Sequence, residues 1–203
     1  MRIGSPHKYI AVCSGFFQLH GLKLRKSFCE DFQVLEMAQL RGTPPKRFIL
    51  QTRARNDVVN SQSCEPDERT RNLYHAFRKP HHRWKNRKGA CGVYNCAGLV
   101  WSNRRTSIYD ENEYSKILHD DGYRPIATEE ELQPGDIVIY LRRTADNSHD
   151  TLHMGIVFSL DRVGSTTVRW VLSKWSDQYG EDIHLLNDVP EHYGDYLTQF
   201  YRS

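Results

Sequence analysis

The sequence lacks a long hydrophobic run, and no segment approaches the roughly 18 consecutive apolar residues that a membrane-spanning helix needs. Near the start, a short apolar stretch at residues 9–12 is interrupted by Cys13, Ser14 and Gly15, and no small-residue cleavage pattern follows it. We therefore predict a cytoplasmic protein with no membrane partner, although delivery by a non-classical route stays open. Internal repeats and low-complexity tracts are also missing.

The sequence has no disulfide framework either. Its five cysteines are an odd number without regular spacing, which favours free thiols in a reducing compartment. A zinc site built from Cys64, His81, His82 and Cys91 would lack the usual CxxC spacing. We therefore expect no metal and no cofactor. The five cysteines are Cys13, Cys29, Cys64, Cys91 and Cys96.

Charge is divided unevenly along the 203 residues. Residues 1–90 contain 18 Lys and Arg against 7 Asp and Glu, whereas residues 91–203 contain 10 against 18. We predict a basic N-terminal segment, residues 1–83, that precedes or packs on a domain formed by residues 84–203. At their junction, residues 78–88 hold six Lys and Arg together with Trp84. This tract could bind nucleic acid, but docking on the acidic half is the favoured interpretation.

Hydrophobic patterning predicts helices in the first part of the chain and strands in the second. This order is typical of an α+β fold with N-terminal helices followed by an antiparallel sheet. A strand is predicted at His7–Val12, and helices across residues 28–40, 69–77, 95–101 and 110–121. Further strands are predicted at Ile137–Arg142, His153–Leu160, Thr167–Ser173 and Thr198–Tyr201.

Two elements of this pattern carry candidate chemistry. Cys96 opens an apolar helix, where the helix N-terminus can lower a thiol pKa, and the small residues Ala97 and Gly98 leave room for a substrate. His153 opens an apolar strand, and Gly155 faces the same side and keeps space open beside the imidazole. The alternative for Cys96 is a buried structural cysteine.

Three short motifs, residues 95–100, 134–138 and 153–157, resemble in content and order those of the NlpC family of papain-like cysteine peptidases and amidases. The resemblance covers about residues 84–203, with Cys96 and His153 57 residues apart. Asn95 and Ala97 replace the family's usual aspartate and serine. The resemblance implies a papain-like α+β fold and a bacterial thiol hydrolase that cleaves an amide or isopeptide bond through an acyl-enzyme. Its substrate would be a peptide or protein amide, such as a peptidoglycan peptide.

In this interpretation Cys96 is the nucleophile and His153 the general base. The third catalytic residue is expected to be His184, with Ser173, Asp177 or Gln178 as alternatives. The residues expected to line the substrate site are Tyr94, Trp84, Ser173, Lys174 and Trp175.

Two other functions stay open. One is a non-catalytic module that keeps the papain-like fold and uses the basic segment to hold nucleic acid or an acidic protein. The other is an acyltransferase, in which a nucleophile other than water resolves the thioester.

Overall fold

The computed structural model describes residues 46–203, so the predicted strand His7–Val12 and the predicted helix across residues 28–40 lie outside it. The described part has three α-helices and two 3₁₀ turns, Glu129–Glu131 and Glu191–Tyr193. The helices are α1 (Glu68–Arg78), α2 (Cys96–Trp101) and α3 (Glu111–Asp120). The strands are β1 (Lys85–Lys88), β2 (Arg124–Ile126), β3 (Ile137–Arg143), β4 (His149–Val163), β5 (Thr166–Lys174), β6 (Glu181–Leu185) and β7 (Leu197–Arg202).

All seven strands join one antiparallel sheet in the order β1-β6-β5-β4-β3-β7-β2. The four strands β3 to β6 follow one another both in the chain and in the sheet, and so form a continuous meander. Short strands close the two edges, with β1 beside β6 and β2 beside β7.

Each helix begins at a polar capping residue. The side chain of Asp67 accepts a hydrogen bond from the Thr70 amide at the start of α1. At the start of α2, Asn95 does the same for the Gly98 amide. Such caps satisfy amide groups that the first turn of a helix leaves without partners. Asp110 caps α3 in the same manner through the amide of Asn112.

The sheet buries both of its faces, and strand alternation decides which residues go to which face. On one side, which we call the helix face, Ile139 of β3 and Met154 of β4 pack with Ala97 of α2. On the other side, which we call the aromatic face, Val138 and Tyr140 pack in a second apolar cluster. The helix face therefore carries the cysteine helix, and the aromatic face is a separate environment.

The predicted papain-like α+β fold is wrong. The described part is mainly a seven-stranded antiparallel sheet with few helices, and α2 has only 6 residues. Strand β1 precedes α2 in the chain, so the helices do not come before the sheet. The sequence pattern missed β1 because all four of its residues are polar and exposed, as befits an edge strand.

The described residues belong to one compact unit, Pro44–Ser203. The predicted boundary between residues 83 and 84 stays a prediction. In the described part, no helix is long and apolar enough to span a bilayer.

Candidate functional site

Cys96 lies at the first position of α2, against the apolar cluster of the helix face. Burial raises the pKa of its thiol, and nearby backbone N–H groups, that of Met154 foremost, only partly oppose this effect. The thiol is therefore held in its neutral form, whereas nucleophilic attack needs the thiolate.

The His153 side chain belongs to the aromatic face, whereas Cys96 packs against the apolar cluster of the helix face. The cross-strand partner of His153 is Tyr140 of the aromatic face, while the next residue, Met154, pairs with Ile139 of the helix face. Among residues 46–203, no hydrogen bond joins His153 to Cys96, and His153 Nε2 is buried without a partner. Burial lowers the pKa of His153 well below its usual value, so the imidazole is neutral. In the described part, the predicted nucleophile and base thus share no hydrogen bond, and both are held in their neutral forms.

The two glycines of these motifs serve packing. A Cβ at Gly98 would lie 2.0 Å from the Thr106 carbonyl oxygen, so the residue lets the chain after α2 approach the helix. A Cβ at Gly155 would lie 2.6 Å from Val171 Cγ1 and 2.7 Å from Ser173 Oγ. Gly155 thus admits side chains of β5, which fill the space expected beside the imidazole.

The aromatic face contains a column of stacked rings. His153 stacks on Trp175 at 4.5 Å between ring centroids, Trp175 stacks on Trp84 at 4.7 Å, and Trp84 stacks on His81 at 3.8 Å. Phe77 of α1 contacts both tryptophans edge-on. His153, Trp175 and Trp84 are buried, so these predicted site residues do come together, but as core rather than as the wall of an open groove.

His184 joins the same face with both ring nitrogens occupied. Its Nδ1 lies 2.7 Å from the Leu185 carbonyl oxygen and its Nε2 lies 2.9 Å from Ser173 Oγ. Because a carbonyl only accepts, Nδ1 carries the proton and the serine hydroxyl donates to Nε2. Burial lowers the pKa of His184 to about 3. His184 and Ser173 thus pair with each other, and no hydrogen bond in the described part links either to His153.

The other two candidates for the third catalytic residue point elsewhere. Asp177 accepts a hydrogen bond from the Tyr109 hydroxyl at 3.1 Å. Gln178 Nε2 lies 3.2 Å from Cys64 Sγ. Asp177 and Gln178 therefore make these contacts with residues other than His153 and His184.

Lys174 and Tyr94 are buried on the helix face. The Lys174 ammonium donates to the carbonyl oxygens of Cys91, at 2.8 Å, and Tyr179, and it lies 4.8 Å from the Tyr94 ring centroid. Burial lowers the pKa of Lys174. The Tyr94 hydroxyl donates to Glu181. These contacts fix the segment before α2 to β6, and they leave neither side chain facing a substrate groove.

The basic tract of residues 78–88 docks on two acidic residues of β6. Arg78 pairs with Asp182 at 2.6 Å and Arg87 pairs with Glu181 at 2.7 Å, and both carboxylates are fully buried. Trp84 is buried and donates its N–H to the Asp188 carbonyl oxygen, so it cannot stack on a base. The tract therefore meets the acidic half of the chain. Within residues 46–203, no three His, Cys, Asp or Glu side chains are placed to hold a metal ion.

Trp170, which the sequence analysis did not single out, lies on β5 towards the turn that joins β4 to β5. We call this end of the β4–β5 hairpin its outer end. The Trp170 indole N–H donates to Asp161 at 2.7 Å, and the Lys85 ammonium lies 4.5 Å from the ring centroid. Trp170 and Asp161 lie on the same face as Val163, which is 65% exposed. We call this surface the Trp170 patch, formed by Lys85, Asp161, Val163, Val168 and Trp170. Strand alternation in residues 159–170 was the signal that could have revealed it.

These features define an antiparallel β domain with a neutral, partly buried cysteine, neutral buried histidines and a partly exposed aromatic patch. The family model described as "UBE2O, ubiquitin binding SH3-C domain" matches residues 131–195, about a third of the chain. No curated protein and no solved structure was found to match the chain. The matched residues run from the first 3₁₀ turn through the whole β3–β6 meander.

This match and the sheet architecture overturn the earlier interpretation. The assignment to the NlpC family is wrong, because the family model that matches residues 131–195 is that of a ubiquitin-binding SH3-C domain and the described part is mainly a seven-stranded antiparallel sheet. The cysteine hydrolase, the acyltransferase and the peptide amide substrate are wrong for the same reason. The physical reason is that Cys96 and His153 are both held in their neutral forms and that no hydrogen bond joins them in the described part. Binding of nucleic acid through residues 78–88 is wrong as well, because Arg78 and Arg87 of this tract pair with buried carboxylates and Trp84 is buried.

Proposed function

We propose that the β3–β6 meander of this protein is a non-catalytic module that binds ubiquitin. The observation that carries the proposal is the correspondence between the family match and one structural unit. Residues 131–195 cover four strands that are neighbours in both chain and sheet, without including β1, β2 or β7. A match that follows a continuous piece of folded structure is the pattern expected of a shared domain.

The test is an NMR titration of ¹⁵N-labelled ubiquitin with the unlabelled full chain. We expect saturable shift changes confined to one surface of ubiquitin. A ubiquitin spectrum that stays unchanged at a large excess of the chain would refute the proposal. An unrelated small protein of similar size serves as the control for non-specific contact.

The variant Cys96→Ala distinguishes binding from thiol chemistry. Because the thiol is neutral and packed against the helix face, the variant should bind ubiquitin as the wild type does. A loss of binding in a folded Cys96→Ala chain would show instead that the thiol takes part in the interaction.

A further inference from the structure

We propose that ubiquitin docks on the Trp170 patch, an inference that rests on the proposed function. The large apolar side chains that are exposed within residues 131–195 of the described chain are Phe158 and Val163. Both belong to β4, and Val163 lies on the same face as Trp170 of β5. The matched part of the chain therefore concentrates its exposed apolar surface on the β4–β5 hairpin.

Within residues 46–203, the neighbours of the hairpin cover one of its faces at the outer end and leave the other open. Further in, α2 covers the helix face, with Leu99 packed against Leu172. On the aromatic side of the outer end, Arg169 donates to the Glu129 carbonyl oxygen at 3.0 Å and pairs with acidic residues of the first 3₁₀ turn. The Trp170 patch lies beyond α2 on the side that this turn does not cover.

Trp170 is fixed in place before any partner arrives. The Asp161 carboxylate accepts a hydrogen bond from the indole N–H, and the Lys85 ammonium lies over the ring. The indole therefore has little rotational freedom to lose on binding. Tryptophan is among the residues that contribute most to protein interfaces, especially at the centre of an apolar patch. Val163 and Val168 form the apolar surface around Trp170. Lys85 and Asp161 place charges of both signs at the rim of the patch.

The occupant is assigned as ubiquitin because the patch belongs mainly to the matched residues. Four of its five members, Asp161, Val163, Val168 and Trp170, lie within residues 131–195. Other exposed apolar side chains, such as Leu73 of α1 and Leu197 of β7, lie outside the match. A surface used by the matched domain is therefore expected on the hairpin.

The experiment measures ubiquitin affinity by NMR titration for the wild-type chain and for Trp170→Ala, Val163→Asp and Leu73→Asp. We expect Trp170→Ala and Val163→Asp each to weaken binding at least about tenfold, because they remove the anchor or place a charge in its apolar margin. Leu73→Asp, at an exposed helical position outside the match, should leave the affinity unchanged.

The outcomes separate the two proposals. Failure of the wild-type chain to bind ubiquitin refutes the proposed function. Normal binding by a folded Trp170→Ala chain overturns the docking surface and leaves the proposed function intact. Circular dichroism establishes whether Trp170→Ala is folded, and if it is not, Val163→Asp decides, since its side chain is 65% exposed at the hairpin end.

Discussion

The two faces of the sheet hold very different chemistry although neighbouring residues of the same strands build them. On β4, Met154 enters the apolar cluster beneath α2, while His153 enters the ring column of the aromatic face. At the end of β5, Lys174 is buried against carbonyl oxygens near α2, while Trp175 stacks on His153. The pleat of a strand thus sends side chains that are adjacent in sequence into different surroundings.

Strand β6 shows the same division with two acidic residues. Glu181 accepts hydrogen bonds from Tyr94 and Arg104, which flank α2. Asp182 accepts hydrogen bonds from Tyr74 and Arg78 of α1. One strand therefore ties down segments on both sides of the sheet through consecutive carboxylates. Each face therefore combines an apolar cluster with a buried carboxylate that accepts hydrogen bonds from the neighbouring segments.

The largest effect is expected from a cavity on the helix face. Met154 is fully buried, so Met154→Ala should lower the free energy of unfolding by about 2–5 kcal/mol in urea denaturation. The volume-conserving control Met154→Leu should lower it by less than about 1.5 kcal/mol. Equal losses from the two variants would show that this face is not tightly packed around Met154.

Acid should destabilise the aromatic face next. The pKa of His184 is lowered to about 3 and that of His153 well below its usual value, so the unfolded chain binds more protons than the folded chain below about pH 6.5. The two neutral histidines therefore contribute their full stabilisation above that pH. As the pH drops below it, the free energy of unfolding falls by about 1.4 kcal/mol per pH unit for each histidine. Urea denaturation between pH 7 and pH 5 measures this slope.

The variant His184→Gln sharpens the same measurement. It removes one titrating group and should reduce the slope by about 1.4 kcal/mol per pH unit. An unchanged slope would mean that His184 is protonated in the folded chain.

The smallest effect is expected from a single hydrogen bond. Ser173→Ala removes the hydroxyl that donates to His184 and should cost about 1 kcal/mol of unfolding free energy. A double-mutant cycle with His184→Gln should give a coupling energy of at least about 0.5 kcal/mol, because the two side chains are in contact. Strict additivity would contradict the pairing.

Local structure could be predicted from the sequence to a large extent. The capping residues Asn95 and Asp110 predict the starts of α2 and α3. The apolar runs predict β3 and β5 to within one or two residues. These features depend on neighbours in the chain, which is why a single sequence reveals them.

The assembly of the site could not be predicted in the same way. Spacing along the chain places Cys96 and His153 on two elements, but a shift of one residue in a strand sends a side chain to the other face. The register of β4 against β3 pairs His153 with Tyr140 of the aromatic face. Likewise, the short strands β1 and β6 have too little apolar pattern to reveal that they join the sheet.

Lys174 has a consequence for chemical labelling of this protein. Its ammonium is fully enclosed by two carbonyl oxygens and the Tyr94 ring, although lysines usually reach the solvent. An amine-acylating reagent can therefore modify it only when the sheet and the segment before α2 come apart. The extent of Lys174 acylation, measured by mass spectrometry and compared with that of the surface lysines of the same chain, therefore reports how often the fold opens.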